Sequence, residues 1–272
     1  RILIVAGSPG MMGAAVLCAK AALRSGAGLV TLCCDPAMFP VIHCAVPEAM
    51  CRDREMEDEE LRRFDAIAIG PGMGAGADTA RLLTRVLTAC EGIVVADADA
   101  LNAAAAFEIP LRTEGRGLIL TPHEGEAARL LQIGRARVSA NREEAVRSLS
   151  GLCNGCCLLK GADTLIADLS GNVYINTTGN PGMAAAGSGD VLTGIIAAFA
   201  GQMRNVFSEI WHERERIKTV LKLEEESFNR TLDKGIELFE FVVTGQKGLR
   251  ETLAVSDEAL DELERKWKSV QL

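Results

Sequence analysis

The segment from Asn180 to Asp190 has the residue types of an anion-binding turn that leads into a helix. Gly187, Ser188 and Gly189 are small, and an apolar helical stretch follows them. Successive backbone N–H groups in such a turn cradle an anion, and the helix dipole favours negative charge at the same place. Asp190 is therefore a candidate general base for a hydroxyl beside a bound phosphate. The same residues also fit a plain turn followed by a helix cap.

Two further polar segments follow strand-like runs upstream. Asp97 and Asp99 come after the apolar run Gly92–Ala96, and they either orient a magnesium-bound phosphate or cap a turn. Gly70–Gly74 comes after the run Ala66–Ile69 and is either a tight turn or part of a ligand crevice. The carboxyl ends of strands are where ligands bind in open parallel sheets, so this turn is a candidate part of a site.

Apolar runs alternate with alanine-rich helical stretches over the first 202 residues, which predicts a three-layer α/β fold. Several runs are apolar throughout, as expected for parallel strands buried on both faces. The predicted strands are Ile2–Ala6, Gly28–Cys33, Ala66–Ile69, Gly92–Ala96, Gly117–Leu120, Gly155–Lys160 and Thr164–Ala167. The predicted helices are Gly13–Ser25, Thr79–Cys90, Gly125–Leu131 and Asn141–Ser150, the last capped by Asn141.

Charge, hydropathy and cysteine usage argue against several classes of protein. The net charge of −8 disfavours non-specific nucleic-acid binding. No apolar run has the length of a membrane span and no basic leader precedes the first strand, so we expect a cytoplasmic protein. Most of the nine cysteines lie in apolar stretches, typical of buried thiols in a reducing compartment. Cys153 and Cys156 form a single C-x-x-C pair, which alone is a weak signal for zinc or redox chemistry.

The composition changes abruptly near residue 202. All eight prolines precede residue 203, whereas both tryptophans follow it. Residues 203–272 contain 27 charged residues in 70 positions, against 39 in the 202 positions upstream. An apolar stripe with helical spacing runs from Ile217 to Val243. We therefore predict an α/β domain at 1–202 and a charged helical segment at 203–272.

A series of motifs runs in order from Ala6 to Gly194. They are Ala6-Gly-Ser8, Arg24-Ser-Gly-Ala-Gly-Leu-Val30, Ile69-Gly-Pro-Gly-Met-Gly74, Asp97-Ala-Asp-Ala-Leu-Asn102, Thr121-Pro-His-Glu-Gly-Glu-Ala-Ala-Arg-Leu130, Leu159-Lys-Gly-Ala-Asp-Thr164 and the segment Asn176–Gly194. Together they closely resemble the NAD(P)H-hydrate dehydratases, a family of the ribokinase-like superfamily. The resemblance implies a three-layer α/β/α fold with a mostly parallel central sheet.

The resemblance also implies a nucleotide-repair reaction of the lyase class. Hydrated NADH or NADPH carries an added hydroxyl on the dihydronicotinamide ring, and the family couples loss of that hydroxyl to nucleotide cleavage. Phosphorylation of the hydroxyl followed by elimination of phosphate explains the coupling, and it depends on positioning and charge neutralisation. Thr121-Pro-His resembles the bacterial members, which implies ADP, with ATP as the alternative, together with Mg²⁺. Asp190 would take the proton from the substrate hydroxyl.

The remaining site residues are implied by the same resemblance. It assigns the adenine nucleotide to Lys160, Gly161, Ala162, Asp163, Thr164, Gly187 and Gly189. It assigns the hydrated dinucleotide to Ala14, Gly74, His123, Asn180 and Asp190. Lys160 neutralises phosphate charge in this assignment, and Gly161 permits close backbone approach. Taken alone, Lys160 also fits a surface lysine at a strand end, and His123 fits a structural histidine in a turn.

The chain departs from the family pattern at two places. Glu124 replaces the usual proline after the histidine, so we expect a different local loop geometry. The alanine-rich helices that normally close the fold stop near Gln202, and residues 203–245 instead resemble a helical segment of the alanine–tRNA ligases. Alternative interpretations are a ribokinase-like kinase of a vitamin-precursor alcohol and an inactive truncated or fused protein. The resemblance is also compatible with a homo-oligomer.

Overall fold

Nine strands in the described part of the chain form a single sheet in the order β3-β2-β1-β4-β5-β6-β7-β8-β9. The computed structural model describes residues 1–112 and 117–206, the last four of them as backbone only. The strands are β1 (Ile2–Val5), β2 (Val30–Cys33), β3 (Met50–Arg52), β4 (Ala66–Ile69), β5 (Ile93–Ala96), β6 (Leu118–Leu120), β7 (Cys156–Leu159), β8 (Thr164–Ala167) and β9 (Val173–Asn176).

Helices connect most of these strands. They are α1 (Met12–Arg24), α2 (Phe39–Ala45), α3 (Asp58–Leu61), α4 (Ala77–Ala89), α5 (Asp99–Ala106), α6 (Glu124–Leu130), α7 (Arg135–Ala140), α8 (Arg142–Cys153) and α9 (Ser188–Val206). Short 3₁₀ turns occupy Pro36–Met38 and Pro181–Met183. Among the described helices, none has both the length and the hydropathy that a membrane span requires.

The sheet is parallel from β3 to β7, and β8 and β9 add an antiparallel hairpin at one edge. The chain begins in the interior of the sheet, because β1 pairs with both β2 and β4. It runs outward to β3 and then returns to the other side of β1. Loops that leave β1 and β4 therefore diverge to opposite sides, and a crevice for ligands forms at such a switch point.

Alternate side chains of the central strands point into two separate cores. On one face, Leu3, Val5 and Ile67 pack with buried residues of α4, α5, α6 and α8. On the other face, Ile2 and Ile4 pack with α1, α2 and α9. Burial on both faces explains why these strands are apolar throughout. The predicted three-layer α/β/α fold with a mostly parallel sheet is confirmed.

The predicted strands and helices are all present, with ends within three residues of the predicted ones. The sequence pattern missed the short strands β3 and β9, whose side chains are largely exposed and give no apolar run. The prediction for Asn141 was wrong, because its side chain makes no capping hydrogen bond although the residue precedes α8. The helix α9 continues to Val206. The predicted helical segment and the tRNA-ligase resemblance lie almost entirely outside the described residues.

Gly70 lets two loops at the carboxyl edge of the sheet meet. Its φ is +130°, and a Cβ there would lie 1.8 Å from the carbonyl oxygen of Asp97. We expect Gly70→Ala to lower the free energy of unfolding by about 3 kcal/mol or more, since strain and overpacking combine. Gly13→Ala is the control, because a Cβ in this helix meets nothing within 4 Å and alanine favours helix. Urea unfolding measures both, and equal stability would contradict the close approach.

Candidate active site

The loops at the carboxyl ends of β1, β4 and β5 are bonded to one another. The N–H of Gly7 donates to the carbonyl of Pro71 (2.8 Å), and the hydroxyl of Ser8 donates to the carbonyl of Gly72 (2.8 Å). The N–H of Gly74 donates to the carboxylate of Asp99 (2.7 Å). These bonds hold the three loops together at the switch point, where a ligand crevice is expected. Ala14 of α1 lies against the same loops, since a Cβ on Gly72 would be 3.0 Å from its methyl group.

Asp97 connects three elements beneath the crevice. It follows β5 and is almost fully buried. One carboxylate oxygen accepts from the ammonium of Lys160 at 2.6 Å, and the other accepts from the hydroxyl of Thr193 at 2.7 Å. Lys160 follows β7, and Thr193 belongs to α9. A buried carboxylate needs such partners, so this network locks Lys160 in place. Sequence reasoning missed Thr193, whose only local signal is a polar residue on an apolar helix.

The ammonium of Lys160 lies beside the first turn of α9. A Cβ added to Gly189 would be 3.6 Å from Lys160 Nζ and 3.9 Å from an Asp97 carboxylate oxygen. Gly187 has a φ of +86° and packs against Leu17 of α1, which fixes the turn that starts the helix. The helix N-terminus and a lysine thus supply positive potential at one place, which suits a phosphate group.

Asp190 is half-buried in the first turn of α9. Burial raises the pKa of the Asp190 carboxyl, the charge of Asp97 raises it further, Lys160 opposes the rise and Asp99 adds to it. The net shift is upward from the ordinary aspartate value. A carboxylate with a raised pKa is a stronger proton acceptor, which suits a general base near neutral pH.

His123 caps the helix α6. Its Nδ1 accepts from the N–H of Gly125 (2.9 Å) and of Glu126 (3.1 Å), and the Glu126 carboxylate accepts from the backbone N–H of His123 (2.8 Å). The Nε2 atom lies 3.3 Å from the other carboxylate oxygen of Glu126. Both ring nitrogens therefore face its own helix, which supports the structural interpretation of this residue. Its substrate contact stays a prediction.

Glu126 is a second residue that the sequence analysis passed over. It is almost fully buried, and burial raises the pKa of its carboxyl above the ordinary glutamate value. The positive charge of Lys160 opposes this rise, and the negative charge of Asp97 adds to it. The Glu126 carboxylate is therefore close enough to the Lys160–Asp97 pair to interact with both charges. The capping pattern of a glutamate three residues after the cap is the sequence signal that identifies it.

The side chain of Asn180 makes no described hydrogen bond to Asp97, Lys160 or Asp190. Its side-chain oxygen accepts from the N–H of Gly182 (2.9 Å) and caps the 3₁₀ turn Pro181–Met183. Residues 180–186 are exposed. Within the described hydrogen bonds, Asn180 joins only its own turn, so its assignment to the dinucleotide also stays a prediction.

The nucleotide loop predicted at residues 160–164 is the tight connection between β7 and β8. The N–H of Lys160 donates to the carbonyl of Pro122 (2.8 Å), and the hydroxyl of Thr164 donates to the carbonyl of Gly161 (3.0 Å). Gly161 and Asp163 both have positive φ angles, at +153° and +52°. The loop is thereby joined to the end of β6 and to the crevice through Lys160.

No preformed metal cage is present among the described residues, where no three His, Cys, Asp or Glu side chains converge. All nine cysteines, including Cys153 and Cys156, are free thiols. Mg²⁺ is usually held by one or two carboxylates and by substrate phosphates rather than by a complete protein cage. Such an ion would be held mainly by the phosphates of a bound nucleotide.

The fold, with Lys160 and the start of α9 at the carboxyl edge of its sheet, is that of a ribokinase-like protein. A ribokinase-like superfamily protein from Enterococcus faecalis superposes with a TM-score of 0.66 at 30% identity, covering 74% of this chain and 71% of that one. The family model described as NAD(P)H-hydrate dehydratase matches residues 2–215. The chain therefore belongs to the NAD(P)H-hydrate dehydratase family.

Two relatives and one solved structure illustrate the family. The bifunctional NAD(P)H-hydrate repair enzyme of Moorella thermoacetica is 44% identical, over 74% of this chain and 41% of that one. The ADP-dependent (S)-NAD(P)H-hydrate dehydratase of Neisseria meningitidis is 40% identical, over 75% and 70%. The ADP/ATP-dependent enzyme of Bacillus subtilis, co-crystallised with ATP and Mg²⁺, is 31% identical with a TM-score of 0.64, over 74% and 72%. The chain spans about two fifths of the bifunctional relatives.

Proposed function

We propose that this chain dehydrates hydrated NADH and NADPH back to NADH and NADPH, with cleavage of ADP to AMP and phosphate. One observation carries the proposal. The Lys160 ammonium, held by Asp97, lies at the start of α9 beside Gly189, and the half-buried carboxylate of Asp190 follows in the next position. A phosphate bound there lies next to a base with a raised pKa. The NAD(P)H-hydrate dehydratase activity of the Neisseria meningitidis and Bacillus subtilis relatives supports the same reaction.

The proposed reaction has two balanced steps. In the first, Asp190 takes the proton of the ring hydroxyl, the hydroxyl oxygen attacks the outer phosphorus of ADP, and AMP leaves. In the second, the carbon–oxygen bond breaks, phosphate leaves with the substrate oxygen, and a proton leaves the neighbouring ring carbon. Lys160 and the first N–H groups of α9 neutralise charge on the transferring phosphate. The sum is hydrated NADH plus ADP giving NADH, AMP and phosphate.

The residues present fit an adenine nucleotide with Mg²⁺. Glycine at position 189 leaves the space beside Lys160 free of a side chain, since a Cβ there would lie 3.6 Å from the ammonium, and a phosphate can approach the backbone N–H. Mg²⁺ would be held mainly by the phosphates of the nucleotide beside Lys160 and the start of α9, and it would supply charge neutralisation there. The names of the relatives favour ADP as the donor, with ATP as the alternative.

A spectroscopic assay tests the proposal. Purified chain is mixed with hydrated NADH and with ADP, ATP or no nucleotide, and the absorbance of reduced nicotinamide is followed while AMP is quantified. The proposal predicts recovery only with nucleotide, with one AMP formed for each NADH from ADP. Folded protein that gives no recovery with either nucleotide would refute it. Transfer of phosphate from ATP to a vitamin-precursor alcohol would favour the kinase alternative instead.

The charges around Asp190 predict a pH dependence. Because the Asp190 pKa is raised, this base stays protonated, and therefore inactive, up to a higher pH than an ordinary aspartate. Asp99 contributes to that rise, so Asp99→Asn should move the acid limb of kcat/KM to lower pH. Asparagine keeps an oxygen that accepts from the N–H of Gly74. A pH–rate profile of both proteins measures the shift, and a limb that stays in place or moves upward argues against Asp190 as the base.

A further inference from the structure

Arg142 holds the turn that carries Lys160. It is the first residue of α8, and its side chain is mostly buried. Its Nη2 donates to the carbonyls of Leu159 (3.3 Å) and Lys160 (3.4 Å), and its Nη1 donates to the carbonyl of Ala162. Three carbonyl oxygens of one short turn thus converge on a single planar guanidinium. Arginine is suited to this task because its donors lie in a rigid fork.

Gly161 shows how closely the turn fits over this guanidinium. A Cβ at Gly161 would lie 2.6 Å from Arg142 Nη2, and the φ of +153° is itself unfavourable for other residues. Arg142 therefore fixes the peptide groups on both sides of Lys160. Asp97 fixes the other end of this residue, the side-chain Nζ. Arg142 thus positions the backbone of Lys160, and Asp97 positions its ammonium group.

Glu124 holds Arg142 in turn. Its Oε1 lies 3.5 Å from Arg142 Nε, and its Oε2 accepts from the hydroxyl of Ser139 at 2.7 Å. The buried Nε of Arg142 makes no hydrogen bond to another described residue, so the Glu124 carboxylate is its nearby counter-charge. Glu124 therefore ties the guanidinium of Arg142 to α6 and, through Ser139, to α7.

We propose that Arg142 is a positioning residue for nucleotide binding, held by Glu124, and this inference rests on the proposed function. Arg142 contacts backbone carbonyls of the 159–162 turn and no reacting atom. Its loss lets the turn move, so the Lys160 ammonium no longer stays beside the start of α9. The effect falls on the nucleotide rather than on the hydrated dinucleotide, since two of its predicted contacts, Ala14 in α1 and Gly74 after β4, lie on other elements.

The experiment compares Arg142→Gln, Arg142→Lys and Glu124→Gln in the full chain. Arg137→Gln is the matched control, because Arg137 is exposed on the neighbouring helix α7. Calorimetry with ADP alone gives Kd, and steady-state kinetics give KM for ADP and for hydrated NADH. Loss of one contact to a charged group typically weakens binding by about 10- to 100-fold. We expect Arg142→Gln to raise Kd and KM for ADP by about that factor, with KM for hydrated NADH unchanged.

The conservative variants grade the effect. Lysine cannot reach three carbonyls with a planar fork, so Arg142→Lys should weaken ADP binding less than glutamine but measurably. Glu124→Gln should weaken it by a smaller factor, since it keeps the volume and removes only the charge. Should Arg142→Gln fail to fold, these two variants decide. ADP affinity in both equal to that of Arg137→Gln would overturn the inference.

The outcome is separable from that of the proposed function. A wild-type chain that binds ADP but does not restore NADH refutes the function, while the calorimetric comparison still decides the role of Arg142. A chain that restores NADH, but whose Arg142→Gln variant binds ADP normally, refutes the positioning role alone. An equal rise in KM for both substrates also overturns it, because a general structural defect would give that result.

Discussion

Asp190→Asn is expected to lower kcat by about 10²–10⁴-fold, the usual contribution of a positioned general base. Asparagine keeps the shape of the side chain and its place in the first turn of α9, but it cannot accept the hydroxyl proton. Binding of ADP should persist, because Lys160 and the glycine turn are untouched. Rate measurements at saturating ADP and hydrated NADH give the value.

The stability of this variant provides an internal check. The raised pKa of Asp190 means that its ionised form is disfavoured in the folded chain, a cost that is present above that pKa and vanishes below the ordinary aspartate pKa. Asparagine removes the cost, so the variant should be at least as stable as wild type at neutral pH. Asp78→Asn is the control, an exposed carboxylate in α4 whose loss should leave kcat unchanged. A kcat for Asp190→Asn within a few-fold of wild type contradicts the assignment.

Lys160→Met is expected to have the largest combined effect on stability and rate. Removing Lys160 leaves the buried carboxylate of Asp97 without its counter-charge, which costs about 3–5 kcal/mol. Among the described residues, the Thr193 hydroxyl is then the side-chain partner that remains to Asp97. Loss of one charge-stabilising donor at a reacting group typically lowers kcat by about 10²–10³-fold. Chemical unfolding and the repair assay measure the two effects separately.

A double variant distinguishes the two roles of Lys160. Combining Lys160→Met with Asp97→Asn removes the unpaired charge, and the new amide keeps an oxygen that can accept from the hydroxyl of Thr193. We expect the double variant to recover a large part of the lost stability and none of the lost activity. Lys160→Met as stable as wild type would show that the Lys160–Asp97 pair is not a structural element. Recovery of activity in the double variant would show that Lys160 is not part of the phosphate site.

Local pattern was sufficient to predict most of the sheet and the start of α9. Strands such as β1 and β4 are apolar at every position because both faces are covered, and that signal is readable without long-range information. The Gly187–Gly189 turn and Asp190 lie next to each other in the chain, so their common location required only the helix start to be predicted correctly. The exposed strands β3 and β9 carry no comparable signal.

The contacts that complete the candidate site depend on the order of the strands. Lys160 and Asp97 are 63 positions apart, and Thr193 and Asp97 are 96 apart. Nothing in the local sequence pairs these residues, because their meeting requires β5, β7 and α9 to converge at one edge. The same holds for Arg142, whose turn lies 17 to 20 positions downstream. Arg142 therefore looks like an ordinary surface charge until the fold is known.

The transfer of oxygen tests the central claim most directly. Hydrated NADH is prepared with a heavy-oxygen label in the ring hydroxyl and is converted by the wild-type chain with ADP. If Asp190 directs that hydroxyl onto the outer phosphate and phosphate is then eliminated, the label must appear in inorganic phosphate, one atom for each NADH restored. Label released as water, with unlabelled phosphate, would contradict the account.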